Sequence, residues 1–575
     1  MTTRRVPLLA PWLCAAIWFG SYLVAPAGLT ALPKDQTWNQ NIRKLLVDEL
    51  LRAPDLKETT GELKSWLIKN YSPAQLASKP AWGEILGLYK WQSLRSANRD
   101  VAEPTWAWLM NDPALTDDFF RNLSPQDNVD RVLGILEDLH RAAPDKFPAY
   151  NALALAFALV WDDPPSWRIH NQMGNASVPQ DSSTVTERFL FYTAGNDRNS
   201  LEWDARKLPA EHLKFVVDTA ISLDELRWAQ KHVRMTKTTY DTVFFLIKYD
   251  DQRFNTGQFD WPFPVYFLAA IQKKGGICVD QAYFAAISGK ANGIPTLFFS
   301  GPGRRGDHAW FGYLKGKNKW ALDCGRYAYD KYATGYAQDP QTGQVITDHE
   351  LDYLSKGFRL SAAYHSAQCM ADAARLMAEA GDRAGALAAI NDAIQQEGRE
   401  YGFWLFKETL LTADQDADLD LFYKNMIQQF SSYPDLKVET QEKLMAINAA
   451  QGNTNAVKKI GNAIIQRNSN DRADLSLAMI EKNFGNKLAA DDYSGALKEL
   501  ISATRRFSAE NGPMLAMLEH FVSACLVKNE ENTADKAVRY FKNHVKYDPA
   551  TGRQFDDLEQ AIKRHRAERA GTDLP

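Results

Sequence analysis

Three residues stand in the order that thiol catalysis uses. Cys278 lies in Gly275-Gly276-Ile277-Cys278-Val279-Asp280-Gln281-Ala282, His308 in Asp307-His308-Ala309-Trp310, and Asp323 closes Trp320-Ala321-Leu322-Asp323. Thirty residues separate the first pair and fifteen the second. A thiol attacks poorly near neutral pH because little of it is ionised. A helix N-terminus and a neighbouring imidazolium both favour the thiolate. The imidazole needs one fixed tautomer, which a carboxylate on its far nitrogen enforces. The backbone N–H of Cys278 suits a developing oxyanion. A second donor is expected from an upstream side chain, with Gln272 preferred over Tyr266 and Trp261. Each residue alone reads as packing or turn chemistry; the three together, on compatible elements, read as a catalytic site.

The elements that must position them follow from pattern. Gly275-Gly276 breaks the chain, and residues 279–291 read as a helix of small and aromatic residues stopped by Asn292-Gly293-Ile294-Pro295, so Cys278 sits at a helix N-terminus. Residues 296–299 form a strand candidate, followed by a glycine-rich turn at 301–306. Residues 309–314 and 319–322 read as a hairpin about Lys315-Gly316-Lys317-Asn318. His308 then opens one strand and Asp323 closes its partner, and such positions are neighbours across a ladder.

These motifs resemble the transglutaminase-like superfamily, which shares the papain-type core. The resemblance covers residues 214–351. It implies a thioester formed by Cys278, proton transfer by His308 and support from Asp323. Members include protein-crosslinking transamidases, peptidases and amidases, and some carry degraded triads; here all three residues are present. The sequence departs from the family at Cys324-Gly325, where proline and a small polar residue are common, and the departure bears on the local turn. In a strand Cys324 points away from the site, as a packing residue.

The flanks are helical. Residues 41–51, 129–139 and 150–161 carry apolar residues at helical spacing, the last nearly all round. A polar stretch from Asp162 to Ser183 is too long for a casual connection and reads as either a lid or a disordered loop. Residues 259–266, aromatic and punctuated by proline, either line a cleft or pack as an ordinary loop. From about residue 361 to 569 alanine pairs recur, at Ala386 and Ala393, Ala456 and Ala463, and Ala496 and Ala503, with a further start at Ala537. Their steps of 70, 40 and 41 residues resemble tetratricopeptide repeats. The alternative is an irregular helical bundle.

Composition bounds the rest. A chain of 575 residues exceeds one hydrophobic core, and its net charge of −4 gives no basis for nucleic-acid binding. Arg4-Arg5, an apolar run to Val24 and Ala25-Pro26-Ala27 read as an export signal cleaved after Ala27, or else as an uncleaved membrane anchor. The four cysteines that remain after such cleavage, Cys278, Cys324, Cys369 and Cys525, are too few for a disulfide framework. The ten histidines are scattered, so neither metal nor cofactor is expected. Gly301-x-Gly303-x-x-Gly306 precedes a strand, not a helix, and is no dinucleotide site.

The expected fold is α+β. A signal peptide (1–27) and an α-helical region (28–213) precede a papain-like transglutaminase core (214–351), and a tetratricopeptide-like helical solenoid (352–575) follows it. The expected protein is exported, periplasmic or extracellular. It is a cysteine-nucleophile hydrolase or acyl transferase on peptide or protein amides. Peptidase or amidase chemistry is favoured over crosslinking because the calcium sites and extra β-domains of large crosslinking members are not visible. The alternative is a non-catalytic scaffold that binds a peptide or protein partner through the repeats.

Overall fold

The computed structural model describes residues 28–33, 38–76, 80–97, 101–166, 169–179, 182–303, 306–328, 334–412, 418–508, 510–545 and 549–570. The expected export segment lies outside the described residues. Among those described, no helix is long and apolar enough to cross a membrane.

Cys278–Ala291 is the central element of the core, a helix buried at every position except Val279. Its composition explains this. Ala282, Ala285 and Ala286 let neighbours approach closely, while Tyr283, Phe284 and Ile287 fill the space around them. One antiparallel sheet packs on it, ordered β3-β2-β1-β4-β5. The strands are β1 Thr296–Gly303, β2 Gly306–Gly316, β3 Lys319–Cys324, β4 Tyr336–Gln338 and β5 Val345–Thr347. The protein is therefore mixed α and β, with helices greatly outnumbering strands. β1 runs further than its sequence pattern suggests, staying paired with β2 as far as Gly303↔Gly306. β4 and β5, of three residues each, are too short to show a period-2 signal in the sequence.

The N-terminal helices join this core. Gln40–Arg52, Val129–Ala142 and Phe147–Trp161 match the expected helices, and a single hydrophobic cluster runs from Leu46 through Phe157 and Phe284 to Leu314. The boundary expected at 213/214 falls inside helix Ala210–Val217, whose Leu213, Phe215 and Val216 pack into that cluster. The boundary at 351/352 likewise cuts helix Asp348–Leu354. Motif extent does not mark where a packed unit ends; shared apolar contact does.

From Ala362–Glu379 to Pro549–Ala570 each helix packs on its sequence neighbours. A recurring turn starts several of them. Gly381, Gly452 and Asp491 have positive φ (82°, 74° and 55°), and Asp382, Asn453 and Asp492 then cap the next helix by accepting an N–H three residues on. Ala386, Ala393, Ala496, Ala503 and Ala537 are buried helix contacts, while Ala456 and Ala463 are only half-buried. This helical run is anchored to the N-terminal helices by Lys64–Glu379 and Lys90–Asp372 ion pairs.

Candidate active site

The Gly-Gly break is required twice over. Gly275 has φ +81°, and a Cβ there would meet the Lys248 carbonyl oxygen at 2.6 Å. A Cβ on Gly276 would meet that of Asp280 at 2.4 Å. The chain can therefore fold tightly back over Asp280, which accepts the Ile277 N–H at 2.8 Å and caps the helix that begins at Cys278. Arg253 Nη1 donates to the same carboxylate at 2.6 Å, and the Tyr266 hydroxyl donates at 2.9 Å. Asp280 is fully buried and Arg253 nearly so. An ion pair thus fixes the helix start that carries the thiol.

Cys278 is 7% exposed, and it shares one cleft of about 1700 Å³ with His308. The Ala309 N–H, directly after His308, is directed at the Cys278 sulfur, as are the N–H groups of Val279 and Cys278 itself. These favour the thiolate. Burial acts against them and prevails, pushing the Cys278 thiol up from its ordinary value. The expectation of a helix-lowered thiol is corrected here, because desolvation of the sulfur outweighs the helix end.

His308 is buried on β2, stacked on Trp310, with its Nε2 at 2.9 Å from the Gly325 carbonyl oxygen. A carbonyl only accepts, so Nε2 carries the proton and Nδ1 is the basic nitrogen. Asp323 does not hold this ring. It stands 56% exposed on β3, accepts from Arg326 Nη1 at 2.8 Å, and is absent from the cleft lining. The reason is register: β3 ends opposite Phe311, three residues inside His308, so the turn beyond it faces the histidine instead. That turn is held by Arg326, which also pairs with buried Asp348 at 2.6 Å. Gly325 has φ +88°, and a Cβ there would strike the Phe244 ring at 2.6 Å. Cys324-Gly325 thus lies in the turn whose carbonyl faces His308. Cys324 is buried and free, opposite Phe311 on the ladder. Were the site to cleave peptides, Asp323→Asn should lower kcat/KM by less than about tenfold, against about 10⁴ where a carboxylate orients the histidine of a triad; a loss of the larger size would restore Asp323 to the role.

Gln272 is also displaced. Helix Leu268–Lys274 buries Leu268 and Ile271 and leaves Gln272 exposed, away from the cleft. Tyr266 and Trp261 are buried, with their donors committed to Asp280 and to the Val265 carbonyl. Among the side-chain amides that line the cleft, Gln172 lies on the short helix Asn171–Met173, and its Oε1 has no partner among the described residues. It belongs to the polar stretch after Asp162, which is folded where described and is bridged at Ser177 to Val265. His170 from the same stretch lines the cleft, stacked on Phe298, with Nε2 at 2.9 Å from the Tyr266 hydroxyl. Stretch length was the one sequence signal for these two residues.

Compared with protein-family models, curated proteins and solved structures, the chain matches none.

Proposed function

We propose that the protein is a thiol acyl-transfer enzyme with a transglutaminase-like, papain-type core, acting on an amide of a peptide or protein. The observation that carries this reading is the Cys278 sulfur at a buried helix start, in one cleft with His308 and under the Ala309 N–H. His308 Nδ1 takes the thiol proton as Sγ attacks the amide carbon. The oxyanion forms beside the helix-start N–H groups, with the Gln172 Nε2, from the lining of the same cleft, as the candidate side-chain donor. Collapse breaks the C–N bond, His308 returns the proton to the leaving amine, and a thioester remains on Cys278. Water, activated by the same imidazole, releases a carboxylic acid and restores the thiol. A lysine amine in place of water gives an isopeptide instead. Hydrolysis is the leading form, and export is part of the reading.

Because burial raises the thiol, Cys278 rests protonated and depends on His308 at the moment of attack. Alkylation of Cys278 by iodoacetamide should therefore climb with pH and level off only in the alkaline range. His308→Ala should lower turnover at neutral pH by about 10²–10⁴. A plateau already reached in acid would show a preformed thiolate and overturn this mechanism. Turnover indifferent to His308 would overturn this mechanism, and a parent protein with neither turnover nor Cys278 acylation would favour the scaffold alternative.

A further inference from the structure

The cleft around Cys278 is not walled by the catalytic core alone. Helix Asn511–Val527 packs on β1, and Leu515, Ala516 and Glu519 from it line the cleft, together with Arg553 from helix Pro549–Ala570. A hydrogen bond of 2.8 Å from Thr334 Oγ1 to Asp474 ties the helical run to the core nearby. A volume of about 1700 Å³ exceeds the ~300–1,000 Å³ of small-ligand pockets. The charges in it are unbalanced. Asp218 is matched by Lys290 and Asp339 by Lys214. Asp163, Asp307 and Glu519 have no ion-pair partner among the described residues, and Arg553 is the one unpaired cation of the lining among those residues.

From this we infer that the C-terminal helices form the substrate-selecting wall of the cleft, and that the occupant is an extended polypeptide segment bearing lysine or arginine. The inference rests on the acyl-transfer reading for the position of the scissile bond. The cleft places apolar Leu515 and Ala516 beside the chain and Glu519 over its cationic side chain, with Asp163 and Asp307 adding to the same potential. A core-only enzyme would leave recognition to strands and loops; here residues more than two hundred positions beyond Cys278 share in it.

The test uses the full chain and two peptide vinyl sulfones of equal length that differ only in lysine or glutamate near the warhead. Iodoacetamide, small and neutral, normalises the thiol in every variant. The lysine probe should modify Cys278 about tenfold faster than the glutamate probe, and the preference should shrink as salt rises. Glu519→Lys should pull the ratio toward one, and Arg553→Glu should raise it. Equal rates for the two probes, or a ratio that neither substitution moves, overturns the inference. Turnover that His308→Ala leaves intact would sink the acyl-transfer reading instead, while a charge preference that persisted would still assign the cleft to a cationic chain.

Discussion

Replacing Cys278 by alanine is expected to lower kcat/KM on a cleaved peptide by at least about a thousandfold, with the fold intact by circular dichroism. The size follows from what the thiol supplies. In the proposed mechanism it splits amide cleavage into two steps through a thioester, and no other described nucleophile stands at the helix start. Cys278 fills little space and bonds only through its sulfur, so removing that atom leaves the capping of the helix by Asp280 untouched. Serine at the same position tests the nucleophile itself: with a far higher pKa and the same geometry, it should restore little. Turnover by the alanine variant within tenfold of the parent would place the chemistry elsewhere.

The second large effect is structural. Asp280→Ala should destabilise the fold by about 3–5 kcal/mol, because it leaves the Arg253 guanidinium buried without its ion. It also strips the Tyr266 hydroxyl and the Ile277 N–H of their acceptor. Urea unfolding monitored by tryptophan fluorescence measures the loss. Pairing Arg253→Met with Asp280→Asn should recover part of it, since the buried charge is then gone from both sides. Because this carboxylate fixes the first turn of the helix that carries Cys278, the alanine variant should also alkylate more slowly under conditions where it remains folded. A shift below about 1 kcal/mol would show that water replaces the carboxylate, and that the ion pair is peripheral.

The helix at Cys278 was legible because its signals are local: a double glycine before, a small-residue run within, Asn-Gly-Ile-Pro after. The β2–β3 hairpin was legible for the same reason. What the sequence did not yield depends on registers and contacts between distant segments. Asp323 has the right type and spacing, but the β2–β3 register sets Cys324 opposite Phe311, which leaves the Gly325 carbonyl, not the carboxylate, at His308. Gln272 lies close to Cys278 in sequence, yet its helix turns it to solvent, whereas Gln172 reaches the cleft from a hundred residues upstream. The thiol's elevated affinity for its proton is likewise a property of burial, which no motif encodes. The C-terminal wall of the cleft depends on how the run of helices bends back to β1, and repeat spacing carries no information about that.

The central claim is a thioester on Cys278, and acid-quenched mass spectrometry reads it directly. The full chain mixed with a peptide p-nitrophenyl ester, quenched and digested, should carry the acyl group on the peptide containing Cys278. Hydroxylamine should discharge it, and His308→Ala should slow its turnover. An acyl group absent from Cys278, or spread equally over Cys324, Cys369 and Cys525, would contradict the account.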